Sequence, residues 1–212
     1  MNKSKMSITK IRKFLREIAV VVIGVAITLS TSYWITNKNA KRDMTLSLSM
    51  IKLELEENIR IIEEAKNSHI QVAINYSDYL NSHKNESLDL DTLLFYRDRT
   101  TFNSTTVLVK RNAFEMFKTS GNMSLVKDKK LLLSIWDVYT KLDELENISK
   151  TVIQLKMEEM RKYFYLNSLP DEELLKNPPM YDFYVNMYGP LVQVRAADYT
   201  LTILNETKSM LE

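Results

Sequence analysis

The 212-residue chain has no cysteine and little glycine (3), proline (4) or histidine (2). Without cysteine there are no disulfides, no thiolate metal sites and no cysteine nucleophile. Scarce glycine and proline remove the turn residues of a β fold. They also leave no glycine-rich phosphate loop and no dinucleotide fingerprint. The two histidines, His69 and His83, stand in no H-E-x-x-H or paired E-x-x-H pattern. Zinc and di-iron bundle sites therefore lack their ligands. No serine sits in a G-x-S-x-G elbow. Paired carboxylates of the glycosidase kind need a cleft that bundles rarely offer. These absences point away from an enzyme and imply no cofactor and no metal.

Long charge-free runs are also missing, with one exception. From Ile18 through Asn37 there is no charged side chain. At 1.5 Å per residue the apolar stretch Ile18–Ile35 spans about 27 Å, close to a hydrocarbon core of about 30 Å. Tyr33 and Trp34 lie at its far end, where amphipathic rings favour the interface. Lys3, Lys5, Lys10, Arg12, Lys13 and Arg16 precede it, whereas Lys38, Lys41 and Arg42 follow and Asp43 comes at once. The positive-inside rule puts the N-terminus in the cytoplasm and the rest across the membrane. A cleaved signal peptide is the rival reading, with Ser30-Thr31-Ser32 as its small residues. The apolar run is longer than the usual h-region, which favours an uncleaved signal-anchor. Residues 1–17 are then a basic tail with an apolar face of Ile8, Ile11, Phe14 and Leu15, suited to anionic lipid rather than nucleic acid. Glu17 reads as a snorkelling interfacial carboxylate beside Arg16. Within the anchor, 18–36, Gly24, Thr28 and Ser32 recur every four residues with Thr31 beside them. Such a face lets two helices approach closely and marks a possible dimer surface. The alternative is hydroxyls bonding to carbonyls of their own helix.

The remainder reads as all-α. Residues 37–43 are a juxtamembrane hinge or a straight stalk, and 44–212 form a helical domain. Leu48, Ile51, Leu55, Ile59 and Ile62 step by three or four, and Ile70 and Ala73 continue the face to about Leu80. Glu54, Glu56, Glu57, Glu63 and Glu64 read as a solvated face. Ser82–Asp91 is a polar loop, followed by a short helix over Thr92–Arg97. Ser104 is a candidate N-cap for a helix from Thr105 to Ser120, and Gly121 carries the signature of a left-handed helix end. Asp128 caps a long helix whose Leu131, Ile135, Val138, Leu142, Leu145, Ser149 and Val152 keep one register to about Tyr165. This helix is expected to lie antiparallel to the first long one, the two forming the spine of a bundle. Pro178-Pro179 stops a short helix, and Gly189-Pro190 opens the last one. Arg195 and Asp198 exclude that helix as a second span. Tyr181, Phe183, Tyr184 and Tyr188 are candidate partner-binding aromatics; the competing reading packs them onto the bundle.

Two stretches carry a family resemblance. They are Lys10-Ile-Arg-Lys-Phe-Leu-Arg-Glu17-Ile-Ala-Val-Val-Val-Ile-Gly24 and Ala113-Phe-Glu-Met-Phe-Lys-Thr-Ser-Gly121. The chain resembles an uncharacterised family of single-pass membrane proteins of Gram-negative bacteria. Its members share a basic start, a Glu-Ile-x-x-Val-Val-Ile-Gly anchor and a helix with placed Leu and Asn, here Leu53, Leu55 and Asn58. The sequence departs at Thr28–Tyr33, where members more often carry a Leu-Gln-Ile-Asn-Asn-Trp run. The resemblance implies an inner-membrane protein with a periplasmic domain and brings no activity or site.

Three functions fit these readings. One is an anchored scaffold or accessory subunit that binds a protein partner on the periplasmic side. The second is a ligand-sensing bundle acting through a partner or through dimerisation. The third is a homo-oligomeric structural element built on the anchor face.

Overall fold

A computed structural model describes residues 8–101, 106–187 and 189–212, with side chains from Ile11 onward. The order is α1 (Ile8–Ala65), a π-helical turn (Lys66–Ile70), α2 (Gln71–Ser82), α3 (Leu90–Thr100), α4 (Asn112–Thr119), α5 (Lys129–Lys162), α6 (Asp171–Lys176), a second π turn (Asp182–Asn186) and α7 (Gly189–Ser209). No strand occurs among the described residues. Ser104, Thr105 and Tyr188, and residues 1–7 of the basic tail, lie outside the described residues.

α1 runs 58 residues without a break. Its N-terminal part has a window of mean hydropathy 2.0 and none of that window is buried against the bundle. By length and composition it is the one described helix able to cross a membrane. α1 is continuous through 37–43. The outer half of α1 then buries Ile51, Leu55 and Ile62 in the bundle core. Fully burying an Ile or Leu side chain contributes about 1.5–3 kcal/mol, which fixes this face inward. The π turn follows where the sequence turns polar: Ser68 Oγ donates to the Glu64 carbonyl at 2.7 Å, and the Gln71 amide reaches back to Lys66. A wide turn of this kind is uncommon and often marks a functional region.

Hydrogen-bond register gives the helix directions. Lys66 pairs with Asp198, and Lys52 lies 3.7 Å from Glu212, so α7 is antiparallel to α1. Ser134 meets Thr207 at 2.6 Å, and Gln193 donates to Ser149 at 2.9 Å, so α7 is antiparallel to α5 as well. α1 and α5 therefore run in the same sense. This corrects the expected antiparallel pairing of the two longest helices. α7 supplies the antiparallel partner of each, and buried Ala197 and Thr200 let α5 approach it closely.

The chain returns between α1 and α5 through an irregular limb. α3 leads back from the far end, residues 106–111 form neither helix nor strand, and α4 follows. The helix expected from Thr105 starts only at Asn112. Thr106-Val-Leu-Val109 is β-branched and favours extended backbone. The Val107 amide donates to Ser149 Oγ at 3.1 Å, and Lys110 exchanges bonds of 2.9 and 2.7 Å with the Asn58 carboxamide. Gly121 takes the left-handed φ of 76° that ends α4. Asp128 accepts from the amides of Lys130 and Leu131 and starts α5 as expected.

Candidate functional site

The proposed anchor face lies in the exposed part of α1. Gly24, Thr28, Thr31 and Ser32 are all exposed. Thr28 Oγ1 donates to the Gly24 carbonyl at 2.9 Å, so this hydroxyl is satisfied within its own helix. A Cβ at Gly24 would meet nothing within 4 Å in the monomer.

The aromatic segment sits at the other end, around the second π turn. Phe183 and Tyr184 are 2% and 1% exposed and belong to a distal core with Tyr76, Leu80, Leu93 and Val152. These rings are packing, and as placed they offer no surface to a partner. Tyr184 lies 4.8 Å from Tyr76 and 4.9 Å, edge to face, from Phe183. Ser77 Oγ donates to the Tyr184 carbonyl at 2.7 Å, and the Tyr76 hydroxyl donates to Pro179 at 3.1 Å. Burial pushes the Tyr184 phenol up to about 12. Met180 turns the chain here with a left-handed φ of 57°. Gly189 is required next: a Cβ would lie 2.7 Å from the Phe183 ring. Tyr181 is only partly covered. It lines an open cleft of about 560 Å³ with Lys84, Glu86, Tyr163, Lys176 and Asp182. Among the described residues the exposed aromatics at this end are others: Phe164 (94% exposed), Tyr165 and Phe95. Arg97, which donates to the Leu166 carbonyl at 3.2 Å, ties the Phe95 helix to the Phe164 turn.

Beneath the two π turns lies a small cavity of about 40 Å³, lined by His69, Thr100, Val152, Lys156, Tyr184 and Gln193. Lys156 is 6% exposed, and desolvation brings its amine down to about 8. One turn on, Glu159 is buried; its Oε2 accepts from Lys162 at 2.5 Å and its Oε1 has no partner among the described residues. Neither residue stood out in the sequence, yet a signal existed. Lys156 and Glu159 extend the three-four register that runs through Ser149 and Val152.

The third polar cluster joins α1 to the returning limb. Glu54 is buried, not solvated as its sequence neighbours suggested. Its carboxylate accepts from the Ala113 and Phe114 amides at 2.8 and 3.2 Å and from the Tyr139 hydroxyl at 2.5 Å. Arg111 at the N-cap of α4 has no side-chain cap, so Glu54 supplies the acceptor from another helix. Negative charge there also opposes the positive end of the α4 dipole. Arg111 in turn bonds Asp143 and Glu146 at 2.7 and 2.6 Å. The Tyr139 ring stacks on Phe114 at 4.1 Å. Every part of this cluster satisfies a neighbour, so it acts as a latch that holds the limb to α1. Among the described residues no three His, Asp or Glu side chains gather as metal ligands.

Set against protein-family models, curated proteins and solved structures, the chain matches none of them.

Proposed function

We propose that the chain is a membrane-anchored, non-catalytic scaffold or accessory subunit whose helical bundle binds a protein partner on the periplasmic side of a bacterial inner membrane. The N-terminus is cytoplasmic, and residues 18–36 are an uncleaved signal-anchor. The observation that carries the reading is the unbroken α1, which joins an unburied apolar span to the core of the bundle. A domain mounted on a rigid stalk holds a surface at a set height, which suits assembly more than turnover. The Glu54 cluster supports it, because its groups bond one another or cap α4. The partner surface is the far end of the bundle, where Phe95, Phe164 and Tyr165 are exposed. Exposed aromatics make good interface anchors.

Cross-linking in native membranes, followed by affinity purification and mass spectrometry, tests this. Wild type recovers one stoichiometric partner, and Phe164→Ser with Tyr165→Ser loses it without loss of helicity. Recovery of the chain alone overturns the reading. The open cleft beside Tyr181 favours ligand sensing as a second reading, since its volume falls in the range of small-molecule sites. A ligand-induced thermal shift in the full chain supports that reading, and none across a metabolite screen removes it.

A further inference from the structure

We infer that the near end of the bundle is a docking face for anionic phospholipid headgroups of the leaflet from which α1 emerges. The inference rests on the anchored topology proposed above.

Three cross-links define which residues form that end. Asn122 donates to Ser47 Oγ at 2.9 Å, so the turn before α5 lies level with Ser47 on α1. Glu212 lies by Lys52, about one and a half turns further along α1, and Thr207 by Ser134, so the end of α7 and the start of α5 lie just above that level. α5 runs away from the span and α7 runs toward it. Lys127, Lys129 and Lys130 therefore sit at the underside of the bundle, with Lys208 near the end of α7.

The charges there lean to one sign. Lys127, Lys129 and Lys130 are exposed, and Lys41 and Arg42 stand on α1 just below. Lys129 Nζ donates to the Val126 carbonyl at 3.1 Å and keeps its charge close to the turn. The opposing acids are Asp43, Asp128, Glu206 and Glu212. The Asp128 carboxylate is occupied by the amides of Lys130 and Leu131, and Glu212 lies by Lys52. The far end leans the other way. Glu86, Asp89, Asp91, Asp98, Glu158, Asp171, Glu172, Glu173 and Asp182 stand there against Lys84, Arg97, Arg99, Arg161, Lys162 and Lys176. Leu125, partly exposed in the basic turn, and Leu46 on α1 add apolar contact.

Height decides whether the charges reach lipid. Hydrocarbon ends near Ile35–Thr36, and a headgroup layer of about 5–8 Å carries α1 to about Lys41. Ser47 is six residues further, about 9 Å above that layer in an upright helix. An extended lysine covers much of this gap, and the Debye length is about 8–10 Å at moderate salt. A modest tilt of α1, ordinary for single spans, brings the basic side into contact. Because α1 has no hinge, such docking also sets the tilt of the whole bundle.

The test uses the full chain, which has no native cysteine to interfere. Leu125→Cys, or Asn39→Cys as a control, carries a fluorophore. The protein is reconstituted in vesicles of phosphatidylcholine alone or mixed with phosphatidylglycerol, each doped with a headgroup-attached quencher. The expected result is quenching at Asn39 in both lipids and at Leu125 only with phosphatidylglycerol. Each lysine removed from Lys127→Gln, Lys129→Gln and Lys130→Gln lowers the docked-to-undocked ratio about fivefold. Raising salt to about 1 M, where the Debye length is about 3 Å, has the same effect. Leu125 unquenched, or equally quenched in both lipids, overturns the docking face while Asn39 upholds the anchor. An unquenched Asn39 overturns the anchored topology and the docking with it.

Discussion

Replacing Glu54 by Ala should unlatch the returning limb from α1. The structure gives the size of the effect. Glu54 is the acceptor for three buried donors, the Ala113 and Phe114 amides and the Tyr139 hydroxyl. Each buried donor left without a partner costs about 1–3 kcal/mol. Removing a buried carboxylate also removes its desolvation cost, and water can enter where the side chain was. A net loss of about 3 kcal/mol is expected. For a domain of this size that lowers Tm by about 6–12 °C. Tyr139→Phe removes one charge-assisted bond and costs about 1.5–3 kcal/mol. The two sites share that bond, so the double variant should lose less than the sum of the singles. Thermal melts of the full chain in micelles, followed by far-ultraviolet circular dichroism, measure all three. A loss below about 1 kcal/mol for Glu54→Ala, or strict additivity of the pair, would refute the latch.

Other expected outcomes concern packing, capping and charge. Gly189→Ala should destabilise by about 1–3 kcal/mol, because the new methyl enters the buried Phe183 ring; Gly24→Ala in the open anchor should leave the same melt unchanged, and equal effects would contradict the packing argument. Asp128→Ala removes the acceptor for the first amides of α5 and should cost about 1 kcal/mol in the same assay. Lys156→Met should stabilise near neutral pH and lose that advantage in alkali. The folded amine titrates at about 8 against an ordinary 10.5, so the unfolded chain binds the extra proton between those values. Wild-type stability therefore rises with pH across that window. Melts of both proteins on either side of it check the sign, and a variant weaker than wild type by the same amount at both pH values would contradict it. Gly24→Leu should weaken any self-assembly through the anchor face, read by cross-linking in membranes; an unchanged oligomer removes that face.

Local signals in the sequence carried far in this chain. The apolar run, the Asp128 cap, the glycine end at Gly121 and the Gly189-Pro190 start all appear in the helices as read. Periodicity, however, reports which face is buried and not what covers it. Leu131 through Val152 marked the inner face of α5, but nothing in that register says that α7, rather than α1, lies antiparallel against it. The direction was set by the limb from α3 to α4, whose non-helical piece is held by Asn58 and Ser149, residues distant in sequence. Polar residues misled for a related reason. Glu54 and Asn58 share the inward face with Ile51, Leu55 and Ile62, and Lys156 shares one with Val152. For Glu54 residue type suggested solvent, whereas helical position decided burial. The aromatic cluster after Pro179 illustrates the same limit, since Phe183 and Tyr184 fill the distal core while Phe164, in the Tyr163-Phe164-Tyr165 run, stands in water.

The most direct test of the anchored topology is cysteine accessibility in intact bacterial cells, starting from the cysteine-free chain. Lys84→Cys at the far end of the bundle and Lys5→Cys in the basic tail are each exposed to a membrane-impermeant maleimide. The account predicts that Lys84→Cys reacts in intact cells and that Lys5→Cys reacts only after the inner membrane is opened. Reaction at Lys5→Cys in intact cells, or protection of Lys84→Cys until lysis, would contradict it.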